Sequence, residues 1–468
     1  MHKLGPRWWK VERNHGDKEG DLVDFEDKLR EALDKEKISF HFPGHKGKCR
    51  DLYPDLYGLD TTETFGTDNL AKPEGILKES MEELAKIYGT RASYLGVGGS
   101  TMALYAGLYS LTREGQTIGL PRNSHRSLFQ AAELLHLNIS LIDLEESQEG
   151  LGTWISLKTV KKAPDFDVLV VASPSYYGHL APLKDLVTYA HERKIPVLVD
   201  EAHGSHLPFF SREDSGLGQG ADITVHSVHK MLPGLTSTAL LHVQEEVDLD
   251  RVQQGIKLFT TTSPSYLMMA SISRAVHWMD QVGRGKILDL IQAMDPFYRA
   301  LDRAGIELLR GPRQDPLKWL IQVPGYTGRE VYERLFKDYG LALEMYDQDR
   351  ALAVLSPVDG KKELAALTEA LLSFPKREPR PRKPLKMPKL VDFLETKDRR
   401  NFKMKKIDFR EAVGLYAGDF VTPYPPGIPL LYPQGKINQD QVDYLQDLLE
   451  AGISLEGLDE KLRMNVIQ

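Results

Sequence analysis

The chain has 468 residues, 41% hydrophobic and 27% charged, the balance of a soluble globular protein with room for a large core in about two to four domains. A net charge of −7 gives no bulk attraction to nucleic acid, and the single cysteine, Cys49, excludes an internal disulfide and a cysteine-based metal cage. No uncharged apolar run approaches the roughly 18 residues of a membrane span, and the stretch around Trp8 and Trp9 is no signal core, so the expected location is the cytoplasm.

Residues 1–37 read as an arm plus a short amphipathic helix with Phe25, Leu29 and Leu33 on one face; Trp8 and Trp9 are expected to pack on a subunit or on the main domain. In His41-Phe-Pro-Gly-His45-Lys46-Gly-Lys48 the two histidines have helical metal-pair spacing, but Pro43 and Gly44 between them favour a structured loop. Thr67 to Gly75 is another loop, followed by a helix through Tyr88. Ser93 to Val97 reads as a strand, Gly98-Gly-Ser-Thr101 as a turn and Met102 to Leu111 as a helix. A strand, a glycine-rich turn with hydroxyls and a helix start together suit a phosphate group, and Ser100 as a plain N-cap explains the same residues.

From there β and α alternate. Strand-like runs lie at Thr117–Leu120, Ile139–Ile142, Val168–Ala172, Pro196–Asp200 and Ile223–Val225, with helical stretches at Ser127–Leu135, Leu157–Lys162 and Lys184–Arg193 between them. Such alternation predicts a mostly parallel sheet covered on both faces, with ligands bound beyond the carboxyl ends of its strands. Ser100, Thr101, His125, Asp200, His203, Ser227, His229 and Lys230 all fall at such ends. Lys230 follows an apolar strand, an unusual place for a lysine unless a desolvated amine is wanted for Schiff-base chemistry.

A further strand is expected at Ala239–Val243, then the hydroxyl-rich loop Leu258 to Tyr266 and a long helix through Trp278. The boundaries drawn are an arm at 1–37, a large domain at 38–282, a small α/β domain at 283–375 with strands near Leu317–Val323 and Ala351–Leu355, and a C-terminal domain at 376–468. The last is entered through a basic, proline-rich linker from Phe374 to Pro384 and carries the proline-loaded loop Val421 to Pro429.

A pyridine-ring cofactor needs an amine for the imine, a carboxylate on the ring nitrogen, a flat group against the ring and a phosphate cradle. Lys230, Asp200, His125 and the set Ser100, Thr101 and Ser227 supply these in turn. Two rivals use the same residues. Asp200-Glu-Ala-His203 spells the DEAH box of helicases, but the P-loop such a motor needs is missing from the chain. Asp200, His203, His206, His226 and His229 could hold a metal for hydrolysis, a reading that leaves Lys230 and the hydroxyl-rich turn unexplained. His206, His226 and His242 are expected to be structural.

His41-Phe-Pro-Gly-His-Lys46, Pro121-Arg-Asn-Ser-His-Arg-Ser127, Val199-Asp-Glu-Ala-His-Gly204, Ser227-Val-His-Lys230, Thr260-Thr-Thr-Ser-Pro264 and Tyr424-Pro-Pro-Gly-Ile-Pro429 resemble the motifs of the Orn/Lys/Arg decarboxylase family, in that family's order over roughly residues 38–435. The resemblance implies pyridoxal 5′-phosphate (PLP) and PLP fold type I: an aspartate aminotransferase-like large domain with a mostly parallel seven-stranded sheet, plus smaller α+β C-terminal domains. It makes Lys230 the Schiff-base lysine, Asp200 the partner of the ring nitrogen and His125 the stacking ring. Ser100, Thr101 and Ser227 match phosphate-binding positions, with His203 and His229 close to the cofactor. The loop holding Thr262 and Ser263 is implied to reach the neighbouring subunit's phosphate, which makes a homodimer the active unit. Glu344 matches a region contacting the substrate's distal cation, and Asp347 is a second candidate acid for it. His41 lies so near the start that the likeness is to short members without an N-terminal wing, and Gly98-Gly-Ser-Thr101 departs from the family's usual Gly-Thr-Ser.

The reaction expected is decarboxylation of arginine, lysine or ornithine to a polyamine precursor, with His229 or Lys230 returning the proton. The alternatives are transamination or aldol cleavage on the same cofactor, or a PLP-binding regulatory protein without turnover.

Overall fold

The structure, a computed structural model, describes residues 38–40, 68–145, 154–244, 246–311, 313–379, 388, 392–424 and 427–468. The arm with Trp8 and Trp9, the His41–Lys48 motif, the basic core of the linker and the Pro425-Pro426 step lie outside the described residues.

The chain enters at β1 (Ile38–Phe40) and continues at Asp68, whose carboxylate accepts from the backbone N–H groups of Gly75 and Leu77 at 2.8 and 3.0 Å. That gives the start of α1 (Ile76–Tyr88) its missing acceptor. Leu77, Met81, Leu84 and Tyr88 form the buried stripe of α1, and Gly89 at φ 60° ends it. Then come β2 (Ala92–Gly96), α2 (Gly99–Leu111), β3 (Thr117–Pro121), α3 (Arg126–Leu134), β4 (Asn138–Ile142), β5 (Val168–Ala172), β6 (Val197–Asp200), β7 (Ile223–Ser227), α4 (Val228–Met231) and β8 (Ala239–Val243).

These strands form one sheet in the order β4-β3-β5-β6-β7-β8-β2, with β3, β4, β5, β6 and β7 parallel and β8 antiparallel to both of its neighbours. Val197 to Asp200 and Ile223 to Ser227 are buried along their whole length, as strands covered on both faces must be. From β3 the chain steps to β4 on one side and then to β5 on the other, which opens a crevice at the carboxyl ends.

The α/β class and the fold type hold, and the seven expected strands are joined by an eighth. In β14 (Phe393–Leu394), Phe393 pairs with Ser140 and Leu394 with Ile139, antiparallel to β4. It covers an edge of the sheet that would otherwise expose unpaired backbone. Two residues carry no strand periodicity, which is why sequence reading passes over this element.

Beyond the large sheet, α5 (Arg284–Arg303) and α6 (Lys361–Leu372) accompany an antiparallel sheet ordered β12-β13-β10-β9, built from β9 (Glu307–Leu308), β10 (Lys318–Gln322), β12 (Met345–Tyr346) and β13 (Ala351–Val354). The strand β11 (Leu341–Leu343) pairs in parallel with β1. The last segment holds β15 (Met404–Asp408), β16 (Tyr416–Ala417), β17 (Thr422–Tyr424), α7 (Gln439–Glu450), β18 (Ser454–Glu456) and β19 (Arg463–Ile467), with its own core around Phe409, Leu445 and Val466.

Candidate active site

At the carboxyl ends of β5 and β6, beside the starts of α2 and α3, lies a cavity of about 280 Å³ whose walls include Ser100, Asn123, His125, Tyr176, Asp200, His203, Lys230 and the Gly427-Ile428 step. Each polar wall residue is placed by an apolar one beside it. In α4, Val228 and Met231 are fully buried and anchor the single turn, which turns Lys230 toward the cavity. Burial pushes the Lys230 amine below the usual lysine range, with Asp200 and Glu344 pulling it back up. Asp200 ends the buried β6 and accepts from the Ala202 N–H at 3.2 Å. Burial raises its carboxyl pKa, while Lys230 and the Ala202 N–H act to lower it. A buried acid and a half-buried amine thus face one cavity, each drawn toward its neutral form by desolvation and toward its charged form by the other.

Ser100 is the second residue of α2, and Gly99 before it sits at φ +71° with no atom within 4 Å of where a Cβ would be. The glycine is therefore required for its backbone angle and not for space. Further along α2, a Cβ on Gly107 would come 2.9 Å from Leu198 Cδ1, so this glycine lets the helix lie close against β6. Together they set the N-terminus of α2 at the cavity, with backbone N–H groups and the Ser100 hydroxyl available to an anion.

His125 is the N-cap of α3: its Nδ1 accepts from the Ser127 N–H at 3.3 Å and lies 2.8 Å from the Ser127 hydroxyl. A nitrogen that accepts from a backbone N–H carries no proton, so the neutral ring has its hydrogen on Nε2. Burial, then the cations Lys230 and Arg126, lower its pKa to about 4 and keep the flat ring uncharged.

Not every expected residue reaches the cavity. Thr101 is exposed one position past Ser100. Ser227 is buried at the end of β7, 3.2 Å from His229 Nδ1, and that same nitrogen lies 3.2 Å from the Thr238 carbonyl oxygen. Neither is among the residues that line the cavity. Thr262 and Ser263 are exposed on the surface of this chain. Asp347 closes the turn between β12 and β13, its Oδ1 accepting from the N–H groups of Asp349 and Arg350 at 2.9 and 2.8 Å. Glu344 does approach the site: it accepts from the hydroxyl of Tyr176, a cavity residue, at 2.6 Å.

The histidines of the metal reading disperse. His203 faces Lys230, His206 pairs with the buried Asp315 at 3.2 Å, and His226 lies between Glu201 and His242 at 3.2 and 3.1 Å. Among the described residues no three His, Cys, Asp or Glu side chains form a metal-ligating group.

Two residues of the site went unread in the sequence. Tyr176 carries no pattern that marks it. Lys318, 1% exposed, opens β10 directly before Trp319-Leu-Ile321, and its Nζ lies 2.7 Å from His203 Nδ1. A lysine against an apolar strand is the same oddity that singles out Lys230, and it would have found Lys318 too.

The donor set fits a phosphorylated pyridine aldehyde: an amine, an opposing acid on the floor, a neutral flat ring and a helix start for the phosphate. Comparison with known proteins points the same way. Residues 24–314 match the family model described as Orn/Lys/Arg decarboxylase, major domain. The uncharacterized protein YaaO of Bacillus subtilis is 32% identical over 459 residues, which is 90% of this chain and 92% of that protein. The arginine decarboxylase of Bacillus anthracis is 30% identical over 470 residues, 92% of this chain and 94% of its own. In fold, the chain resembles the Escherichia coli constitutive lysine decarboxylase with a TM-score of 0.73 at 18% identity, over 95% of this chain and 82% of that one.

Proposed function

The chain belongs to the Orn/Lys/Arg decarboxylase family, and on that premise we propose that its substrate is arginine and that Lys230 and Asp200 carry the reaction. The reaction is PLP-dependent decarboxylation of a basic amino acid. Arginine is favoured because relatives matched over nine-tenths of the chain at about 30% identity are named arginine decarboxylases, whereas those named lysine decarboxylases match at 24–25% over 51–58% of it.

PLP, when bound, supplies an aldehyde that condenses with an amine and a pyridinium ring that takes up the electron pair left by the departing carbon dioxide. The protein supplies the rest. Lys230 provides a half-buried amine whose proton is easily lost. Asp200 would hold a proton on the ring nitrogen, the Ser100 turn and the α2 N-terminus would hold the phosphate, and the neutral His125 ring would offer a flat face to the cofactor. Lys230, which lines the cavity, would return a proton to the substrate carbon; His229, the other candidate, is not among the lining residues. Glu344, with Tyr176 donating to it, takes the guanidinium at the far end by charge-assisted hydrogen bonds. The observation that carries this reading is the pairing of Lys230 and Asp200 across one cavity.

The exposed, hydroxyl-rich loop with Thr262 and Ser263 supports a homodimer in which that loop completes the partner's phosphate site. The product, a decarboxylated basic amino acid, suits polyamine formation in the cytoplasm. Among the described residues no helix is long and apolar enough to cross a membrane.

The test is product chromatography with arginine, lysine and ornithine supplied separately to the PLP-loaded protein. Agmatine from arginine as the dominant product is expected. A faster reaction with lysine or ornithine would overturn the substrate assignment, and a keto acid in place of an amine would overturn the reaction. Glu344→Gln keeps the shape of the side chain and removes its charge. It is expected to raise KM for arginine about 10- to 100-fold with kcat little changed, the cost of one hydrogen bond to a charged group.

A further inference from the structure

Tyr176 stands on the cavity wall in the loop that leaves β5, yet the groups that fix this loop come from the antiparallel sheet. Three successive carbonyls of the loop each take a donor from the segment that leads into β10. Lys318 Nζ donates to the oxygen of Tyr176 at 3.0 Å, Gln314 Nε2 to that of Tyr177 at 2.8 Å and the Asp315 N–H to that of Gly178 at 2.8 Å. In return, the Leu180 N–H donates to the Arg313 oxygen at 2.8 Å. An amine donates to a carbonyl whether or not it is charged, so this clamp does not depend on the protonation of Lys318.

The fit is close. Gly178 sits at φ +92°, and a Cβ there would come 2.6 Å from Gln314 Nε2 and 2.8 Å from Lys318 Cβ. Glycine meets both the angle and the approach. The donors are anchored in their turn. Asp315 is fully buried, lies 3.2 Å from His206 and accepts from the Leu317 N–H at 3.0 Å, and Leu317 and Trp319 pack in the core. Gln314 Oε1 is buried with no hydrogen-bond partner among the described residues, so the bond its side chain makes is the one from Nε2 to the loop.

The far end of Tyr176 meets the same sheet. Its hydroxyl donates to Glu344 at 2.6 Å, and Glu344 directly precedes β12, one strand removed from β10 across β13. One wall residue is thus held by its carbonyl and by its hydroxyl from a single sheet. Where the loop is clamped decides where the hydroxyl falls.

We propose that Gln314 is a positioning residue for recognition of the substrate's distal cation: by holding the Tyr177 carbonyl it sets the loop so that the Tyr176 hydroxyl reaches Glu344 and fixes that carboxylate beside the cavity. The inference rests on the reading of Glu344 as the acceptor of the guanidinium. Neither Gln314 nor Tyr177 lines the cavity, so a substitution at 314 reaches the substrate only through the loop.

The test is steady-state decarboxylation of arginine by the PLP-loaded full chain. Gln314→Met keeps the length of the side chain and removes the donor. It is expected to raise KM for arginine about fivefold, the loss of one net hydrogen bond, with kcat within about twofold of native. Gln314→His, which offers a ring N–H at similar reach, should bring KM back toward native. Tyr176→Phe should raise KM as well, and Gln314→Met added to it should raise KM no further, because both act through one hydroxyl. A residue that only supports the fold would lower the melting temperature and the active fraction and leave KM in place. An unmoved KM in Gln314→Met, or a double variant whose effects simply multiply, overturns the proposal.

If Gln314→Met does not fold, Gln314→Asn, whose amide falls one carbon short of the Tyr177 oxygen, takes its place with the same expected and overturning results. Glu344→Gln separates the two readings. A KM that it leaves unmoved refutes Glu344 as the cation's acceptor. A KM raised by Glu344→Gln and not by Gln314→Met overturns the role of Gln314 alone.

Discussion

Lys230→Ala is expected to remove both the visible absorption of the bound cofactor and at least about 10³-fold of the decarboxylation rate, or about 4 kcal/mol of barrier. The reason lies in where the amine stands. Lys230 is held at the cavity by a turn that the buried Val228 and Met231 anchor in the core, and among the described residues no other lysine lines that wall. Lys318 is near, but its Nζ is committed to His203 and to the Tyr176 carbonyl and is not on the wall. Because α4 keeps its apolar anchors in the variant, the fold should survive, and a melting curve close to that of the native chain would show it. Retention of the visible band in Lys230→Ala would sink the assignment outright, whatever the activity.

Asp200→Asn is expected to separate binding from chemistry. The amide is the same size and can still take the Ala202 N–H, so the cofactor should bind and the visible band should form. What is lost is the negative charge that keeps the ring nitrogen protonated, and kcat is expected to fall by about 10²- to 10³-fold. The substitution also takes away one of the two carboxylates that hold a proton on Lys230. The Lys230 pKa should therefore fall further, and capture of PLP should extend to lower pH than in the native chain. A full loss of the band in Asp200→Asn would mean that the acid serves cofactor retention instead. An unchanged kcat would remove it from the mechanism.

The strand ends are legible in the sequence because a parallel sheet writes itself as apolar β-branched runs such as Val168–Ala172 and Ile223–Val225, each stopping at a polar residue. Lys230 and Asp200 stood out for the same reason: a charge directly after a buried run is costly and needs a use. His125 was legible as a ring near the site, but its capping bond to Ser127 depends on the chain turning there. Asp347 and Glu344 looked alike in sequence, three residues apart, and the structure separates them. One closes a backbone turn while the other meets Tyr176 across the fold.

By itself, then, the sequence determined the α/β class, the sheet of alternating crossovers, the family likeness and the acid–amine pair, because all of these are carried by local pattern and by the high cost of burying a charge. Only the tertiary structure decided that Phe393–Leu394 closes the sheet edge, that Tyr176 and Glu344 meet beside the cavity, and that one histidine bridges two lysines. Those contacts join residues 27 to 255 positions apart, from His203 with Lys230 to Leu394 against Ile139. Hydrogen bonds act over about 3 Å of space whatever the distance along the chain, so nothing near either partner in sequence records them.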